Sequence, residues 1–140
     1  MIDFVHIKEA NAEDVTLLAG LNKQLIEDEG HRNTMDVAAL AERMRGWLVS
    51  GEYRAHLFTF EKSVIGYSLC KDAGDHIYIR QLFIARERRR QGFGQAALSI
   101  LAEDVWPGRR LRADVLTGNT AALAFWQKCG FAPYAQILER

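Results

Sequence analysis

The stretch Ile77-Tyr78-Ile79-Arg80-Gln81-Leu82-Phe83-Ile84-Ala85-Arg86-Glu87-Arg88-Arg89-Arg90-Gln91-Gly92-Phe93-Gly94-Gln95-Ala96 decides the reading of this chain. Ile77, Tyr78, Ile79, Phe83 and Ile84 are β-branched or aromatic, so residues 76–85 read as a strand. A loop rich in arginine follows, and Gly92 and Gly94 then open a helix. Helix N-termini expose unpaired N–H groups and a partial charge of about +0.5, which suits a phosphate. Glycines there remove side chains that would hold an anion away from those groups. Arg88, Arg89 and Arg90 add positive charge to the same cradle.

Two familiar phosphate loops do not fit. A P-loop ends in Gly-Lys-Ser/Thr, which is absent. The dinucleotide fingerprint needs a third glycine, but Gln95 and Ala96 follow Gly94. A second block, Asn119-Thr120-Ala121-Ala122-Leu123-Ala124-Phe125-Trp126-Gln127-Lys128-Cys129-Gly130-Phe131, reads as a capped helix that ends on a glycine.

Around these blocks the pattern gives a short strand at Phe4, Val5, Ile7 and Lys8. A helix follows, capped by Asn11 with Asp14 and carrying Leu17, Leu18, Leu21 and Leu25. It stops at Gly30. Thr34 or Asp36 caps a second helix bearing Leu40, Met44 and Leu48, which Gly51 ends. Strands are expected over 53–60 and 64–70, a helix over 96–104, a strand over 111–116, a helix over 121–128 and a last strand over 135–138. The order βααβββαβαβ implies an α/β (mixed α+β) fold. Its sheet is mixed and mostly antiparallel, with helices on both faces.

The 140 residues form one domain, 1–140, with 49% hydrophobic and 26% charged residues, a composition that excludes disorder. Eighteen basic and eighteen acidic residues cancel, whereas a general nucleic-acid binder carries a basic excess. No apolar run approaches the roughly 20 residues needed to span a bilayer, so neither nucleic acid nor membrane is an expected partner. Cys70 and Cys129 are too few for a disulfide scaffold and lack zinc spacing. A cytoplasmic domain without a metal is expected.

Arg89-x-x-Gly92-x-Gly94 after a strand resembles the Arg/Gln-x-x-Gly-x-Gly/Ala motif of the GNAT superfamily of N-acetyltransferases. Asn119 to Phe131 resembles that family's C-terminal Asn-x-x-Ala-x-x-Phe-aromatic-x-x-x-Gly-Phe pattern, and the order of elements agrees. The resemblance implies acetyl-CoA as co-substrate and a strand that splays from its parallel neighbour to admit the pantetheine arm. By position the cofactor would lie along Leu82, Phe83 and Ile84. The Leu82 N–H would face the thioester oxygen and the Ile84 N–H the pantetheine. The pyrophosphate would rest on the loop of Arg89, Arg90, Gln91, Gly92, Gly94 and Gln95, and Asn119 would bond the arm.

The chain departs from the family at two catalytic places. Many relatives carry a glutamate base at the position of Tyr78 or Arg80. Many also carry a tyrosine, which protonates the leaving thiolate, where this chain has Trp126 beside the cofactor; Tyr134 is the substitute candidate. The segment Glu27-Asp28-Glu29-Gly30-His31-Arg32-Asn33 offers Glu29 and His31 as base and as a cradle for a cationic amine. Arg80 and Gln81 should face opposite sides of their strand, and Arg80 would pair with Asp28 or Glu29 or grip a substrate carboxylate.

The implied activity is acetyl transfer from acetyl-CoA to a primary amine of a small-molecule or amino-acid-like acceptor, by direct attack in a ternary complex. The alternatives are a catalytically silent acyl-CoA-binding regulatory module and a peptide or protein N-acetyltransferase. A homodimer is left open.

Overall fold

The computed structural model describes residues 5–30 and 32–140, so Phe4 of the first expected strand lies outside the described residues. Strand β1 (His6–Glu9) leads into a helical turn, Ala12–Asp14, and helix α1 (Val15–Asp28). The cap is the expected one. Asn11 Oδ1 accepts from the Glu13 N–H, and Asp14 Oδ2 accepts from the Asn11 N–H, both at 2.9 Å. Helix α2 (Val37–Ser50) is capped by Asp36, which accepts from the Ala39 N–H at 2.8 Å, and it ends on Gly51 at φ 77°.

Strands β2 (Arg54–Phe60), β3 (Ser63–Asp72) and β4 (Ile77–Ile84) follow, then α3 (Phe93–Ile100), a π-turn at Leu101–Val105, β5 (Leu111–Ala113) and α4 (Thr120–Lys128). The sheet order is β1-β2-β3-β4-β5, antiparallel except for the parallel pair β4–β5. The mixed, mostly antiparallel sheet is therefore as expected.

Alternation along the strands builds two cores on opposite faces. Ala55, Leu57, Tyr67, Leu69 and Phe83 pack under α1 and α2 with Leu18, Leu21, Leu25 and Met44. Phe58, Ile65, Cys70, Ile77 and Ile79 pack under α3 with Phe93, Ala97 and Leu98, and Phe125 and Trp126 of α4 close that side. Fully burying one such aliphatic side chain stabilises by about 1.5–3 kcal/mol. Gly66 is required for β3 and β4 to approach, since a Cβ there would run into the Phe83 carbonyl oxygen.

Three expectations need correction. The helix expected over 96–104 begins at Phe93 and gives way to the π-turn at Leu101. The strand expected over 111–116 ends at Ala113. The last strand does not form, and residues 131–140 carry no regular structure. A three-residue edge strand offers few ladder groups to template another, Pro133 lacks an N–H, and Ile137 and Leu138 are 83% and 89% exposed.

Candidate active site

The site begins where the parallel ladder stops. Only Ile77, Tyr78 and Ile79 of β4 pair with β5, opposite Leu111, Arg112 and Ala113. From Arg80 to Ile84 the β4 edge has no β5 residue beside it, while its other edge stays paired to β3. Ala85 N–H donates to Ile65 C=O at 2.7 Å, so the backbone groups of Phe83 also point to β3 and those of Leu82 and Ile84 to the open edge. Leu82 and Ile84, expected to face the cofactor, therefore present their backbone to that edge. Phe83 does not: its side chain is 2% exposed within the α1/α2 core and its backbone serves the β3 ladder.

The loop that follows lies at the end of this open edge. Arg90 adopts φ 63° and Gly92 φ 85°, a left-handed geometry that turns the chain into α3. Gly94 has another reason to be glycine, because a Cβ there would stand 3.0 Å from the Phe125 ring. It sets the α3–α4 approach. Arg89 is committed to structure. Its Nε donates to the Ile84 carbonyl at 2.8 Å, its Nη2 to Asp28 at 2.7 Å, and its guanidinium lies 5.2 Å from the Phe83 ring centre. Arg86 also reaches Asp28, at 2.5 Å. Burial pushes the Asp28 carboxyl up, but the hydrogen bonds from Arg89 and Arg86 outweigh it and hold the pKa below its ordinary value.

The open edge and the α3 N-terminus fit acetyl-CoA, with unpaired N–H groups for the arm and a left-handed glycine where the pyrophosphate would rest. Arg90, Gln91 and Gln95 are exposed beside them. Asn119 caps α4, its Oδ1 accepting from the Ala122 N–H at 3.1 Å, which leaves its Nδ2 donors for another partner. Trp126 packs edge-on against Phe125 and Phe131, with ring centres 5.5 and 4.8 Å away.

On the α1/α2 face a register shift changes the expected pattern. Leu69 pairs with Gln81 and Cys70 with Ile79, which leaves Arg80 as the extra residue of a β-bulge. Arg80 and Gln81 therefore face the same side, not opposite sides. Gln81 is buried and accepts from the Tyr67 hydroxyl at 2.6 Å. Arg80 is exposed, donates to the Tyr53 hydroxyl at 3.3 Å, and sits 4.8 Å from the Trp47 ring centre. Arg80 forms no ion pair with Asp28, which Arg86 and Arg89 occupy.

Sequence reading missed the rest of this wall. Arg43 of α2 lies 4.6 Å from the Trp47 ring centre and donates to Asn22 of α1 at 3.3 Å. Tyr78 donates to Asp114 at 2.8 Å, and burial, then the hydrogen bond to that carboxylate, raises its pKa beyond the ordinary range. The family resemblance had singled out Tyr78 and Arg80 as the positions of a missing base, but neither it nor the strand pattern could show the bulge. Glu29 caps the end of α1, and its charge adds to burial in raising the Tyr67 hydroxyl pKa. His31 lies outside the described residues. Tyr134 is 75% exposed, with the Arg112 guanidinium 4.5 Å from its ring centre. Nearby, the exposed tail is tied to the α1–α2 connection by an Arg32–Glu139 ion pair at 3.1 Å.

No described helix is long and apolar enough to cross a membrane. The sequence model of the acetyltransferase (GNAT) family matches residues 22–131. No curated protein sequence matches the chain. Among solved structures, an acetyltransferase from Thermus thermophilus is 23% identical, with a TM-score of 0.77 over 92% of this chain and 87% of that one. An aminoglycoside N-acetyltransferase in complex with CoA is 15% identical, TM-score 0.77, over 97% and 93%. An aminoglycoside acetyltransferase from an uncultured soil metagenomic sample, in complex with sisomicin, is 14% identical, TM-score 0.74, over 99% and 95%. At these identities the likeness shows the fold.

Proposed function

The chain belongs to the acetyltransferase (GNAT) family, and from that premise we propose that it transfers the acetyl group of acetyl-CoA to the primary amine of a small, amino-acid-like acceptor. The observation that carries the reading is the end of the β4–β5 ladder at Ile79 and Ala113, which leaves the Leu82 and Ile84 backbone without a β5 neighbour.

Acetyl-CoA supplies an acetyl group activated as a thioester. The Leu82 N–H donates to the thioester oxygen and holds the negative charge that grows there during attack. The Ile84 N–H holds the pantetheine, and the loop from Arg90 to Gln95 receives the pyrophosphate. Arg89 fixes that loop rather than the cofactor. The neutral amine nitrogen attacks the carbonyl carbon; the C–N bond forms, the C–S bond breaks, and CoA leaves as a thiolate that takes up a proton. The amine gives up its proton to a carboxylate on the acceptor face, directly or through water. Glu29 and Asp114 are the carboxylates of that face, with Asp114 oriented by Tyr78. A thiol pKa near 8.5 makes the leaving group tolerable without a dedicated acid. That matters here, since Trp126 has no hydroxyl to give.

Calorimetric titration with acetyl-CoA, followed by thiol release with pooled primary amines, tests the proposal. Binding with amine-dependent thiol release is expected. Binding without release across the pool would favour a silent acyl-CoA-binding module, and absence of binding would overturn both.

A further inference from the structure

Arg43 and Arg80 both reach Trp47, and among the described residues neither is ion-paired. Both guanidiniums lie over Trp47, 4.6 and 4.8 Å from its ring centre, and Arg80 also lies 5.7 Å from the centre of Tyr53. The hydrogen-bond partners of the two arginines are neutral: the Tyr53 hydroxyl for Arg80 and the Asn22 amide for Arg43. Among the described residues no carboxylate lies within ion-pairing distance of either one.

Five other described arginines form ion pairs: Arg32 takes Glu139, Arg54 takes Glu9, Arg86 and Arg89 share Asp28, and Arg109 takes Asp72. The wall also leaves donors unused. Arg43 Nε and Asn22 Nδ2 are buried without a partner, and Asn22 is 1% exposed. Folded proteins satisfy nearly all such groups. Burial, and then the neighbouring Arg80 charge, push the Arg43 pKa below its ordinary value, so the charged form stands uncompensated there. Two guanidiniums that contact one indole ring, and that reach no carboxylate among the described residues, match the charge and hydrogen-bonding geometry of an anionic group.

We propose that the acceptor amine carries a carboxylate, which docks on Arg80 and Arg43 above Trp47 beside the open β4 edge. The inference rests on the acetyltransferase reading and names the acceptor class for the same site. A planar carboxylate matches the fork of a guanidinium, and the rigid indole that both guanidiniums contact holds them in place. The bulge supplies the position: it swings Arg80 out at the residue after the last parallel pair, next to the edge where the acetyl group is to lie. The same wall selects against polycationic acceptors. The soil-metagenome relative of this fold was solved with sisomicin, an aminoglycoside, whereas two unpaired guanidiniums here repel a ligand of that charge.

The experiment compares thiol release from acetyl-CoA with each L-amino acid and with its carboxamide, alongside sisomicin, on the same protein. A preference of about tenfold or more in kcat/KM for at least one free carboxylate over its amide is expected, with sisomicin inert. Arg80→Gln and Arg43→Gln should each reduce that preference by raising KM for the carboxylate, while the carboxamide KM and acetyl-CoA affinity stay near wild type. Arg80→Lys should restore part of it. Equal rates for acid and amide, a preference for the amide or sisomicin, or no release with any carboxylate-bearing amine while acetyl-CoA still binds would overturn the proposal. Failure of acetyl-CoA itself to bind is the separate result that removes the parent reading. Melting temperatures of the variants, unchanged within a few degrees, keep a folding defect from passing for lost recognition.

Discussion

Asp28 and Arg89 meet at 2.7 Å across the gap between the end of α1 and the loop that leads into α3. The same arginine donates to the Ile84 carbonyl at 2.8 Å, so one side chain ties together α1, the end of β4 and the loop. An acidic run at a helix C-terminus opposes the macrodipole. Here the run supplies an anchor for the loop arginines. Releasing that anchor should loosen the cradle without touching the acceptor wall. Asp28→Asn is expected to raise the KM for acetyl-CoA about three- to tenfold with kcat little changed, as steady-state kinetics would show. Arg89→Lys should behave alike, since an ammonium cannot serve both partners in the geometry of the fork.

Acid should weaken the same anchor. The Asp28 pKa is lowered in the folded chain, so its contribution is present above the unfolded value near 3.8 and is lost as pH falls through the lower folded value. His56 acts at milder pH. It is 4% exposed, and burial lowers its pKa from 6.5, with Glu9 opposing the shift and Arg54 adding to it. The unfolded chain therefore binds the proton more readily, and stability should fall as pH drops below about 6.5 toward the lowered folded value. Thermal melts between pH 7.5 and 4.5 should show the decline, and His56→Gln should flatten its upper part.

Much of this arrangement was legible from residue patterns, and the exceptions have physical reasons. The strand over 76–85, the turn at Gly92 and the cap at Asn119 are local features that propensity and glycine geometry specify. The shared face of Arg80 and Gln81 is not local. It comes from a bulge against Leu69 and Cys70, set by long-range pairing. Arg43 and Trp47 were invisible as site residues, and Asp28, expected to pair with Arg80, is instead taken by Arg86 and Arg89, which long-range folding brings to it. The last strand failed for want of a neighbour, since β5 ends at Ala113.

Two glycines should be intolerant for reasons of packing rather than chemistry. Gly66→Ala drives a Cβ into the Phe83 carbonyl oxygen, where backbone must move. A loss of about 3 kcal/mol or more in denaturant unfolding is expected. Gly94→Ala meets the Phe125 ring at 3.0 Å, and a loss of about 1–3 kcal/mol is expected. Gly92→Glu differs from both: it should leave a folded chain that no longer binds CoA in calorimetry, because a carboxylate then faces the pyrophosphate.

The proton acceptor can be located by neutral replacements. Glu29→Gln and Asp114→Asn should each be compared for kcat and for acetyl-CoA affinity. The one that holds the base is expected to lose about 10²–10⁴-fold in kcat with affinity intact. Tyr78→Phe should mimic a milder form of Asp114→Asn, since the hydroxyl only orients that carboxylate. Wild-type turnover in both carboxylate variants would move the base outside this face.

Amide hydrogen exchange at Leu82, Phe83 and Ile84, with and without acetyl-CoA, tests the central claim most directly. The account predicts that the Leu82 and Ile84 amides exchange readily in the free protein and slow by about tenfold or more on binding. Phe83, already held by β3, should change much less. Acetyl-CoA that binds while Leu82 and Ile84 exchange as before would contradict the account, because the open edge of β4 would then not be where the cofactor lies.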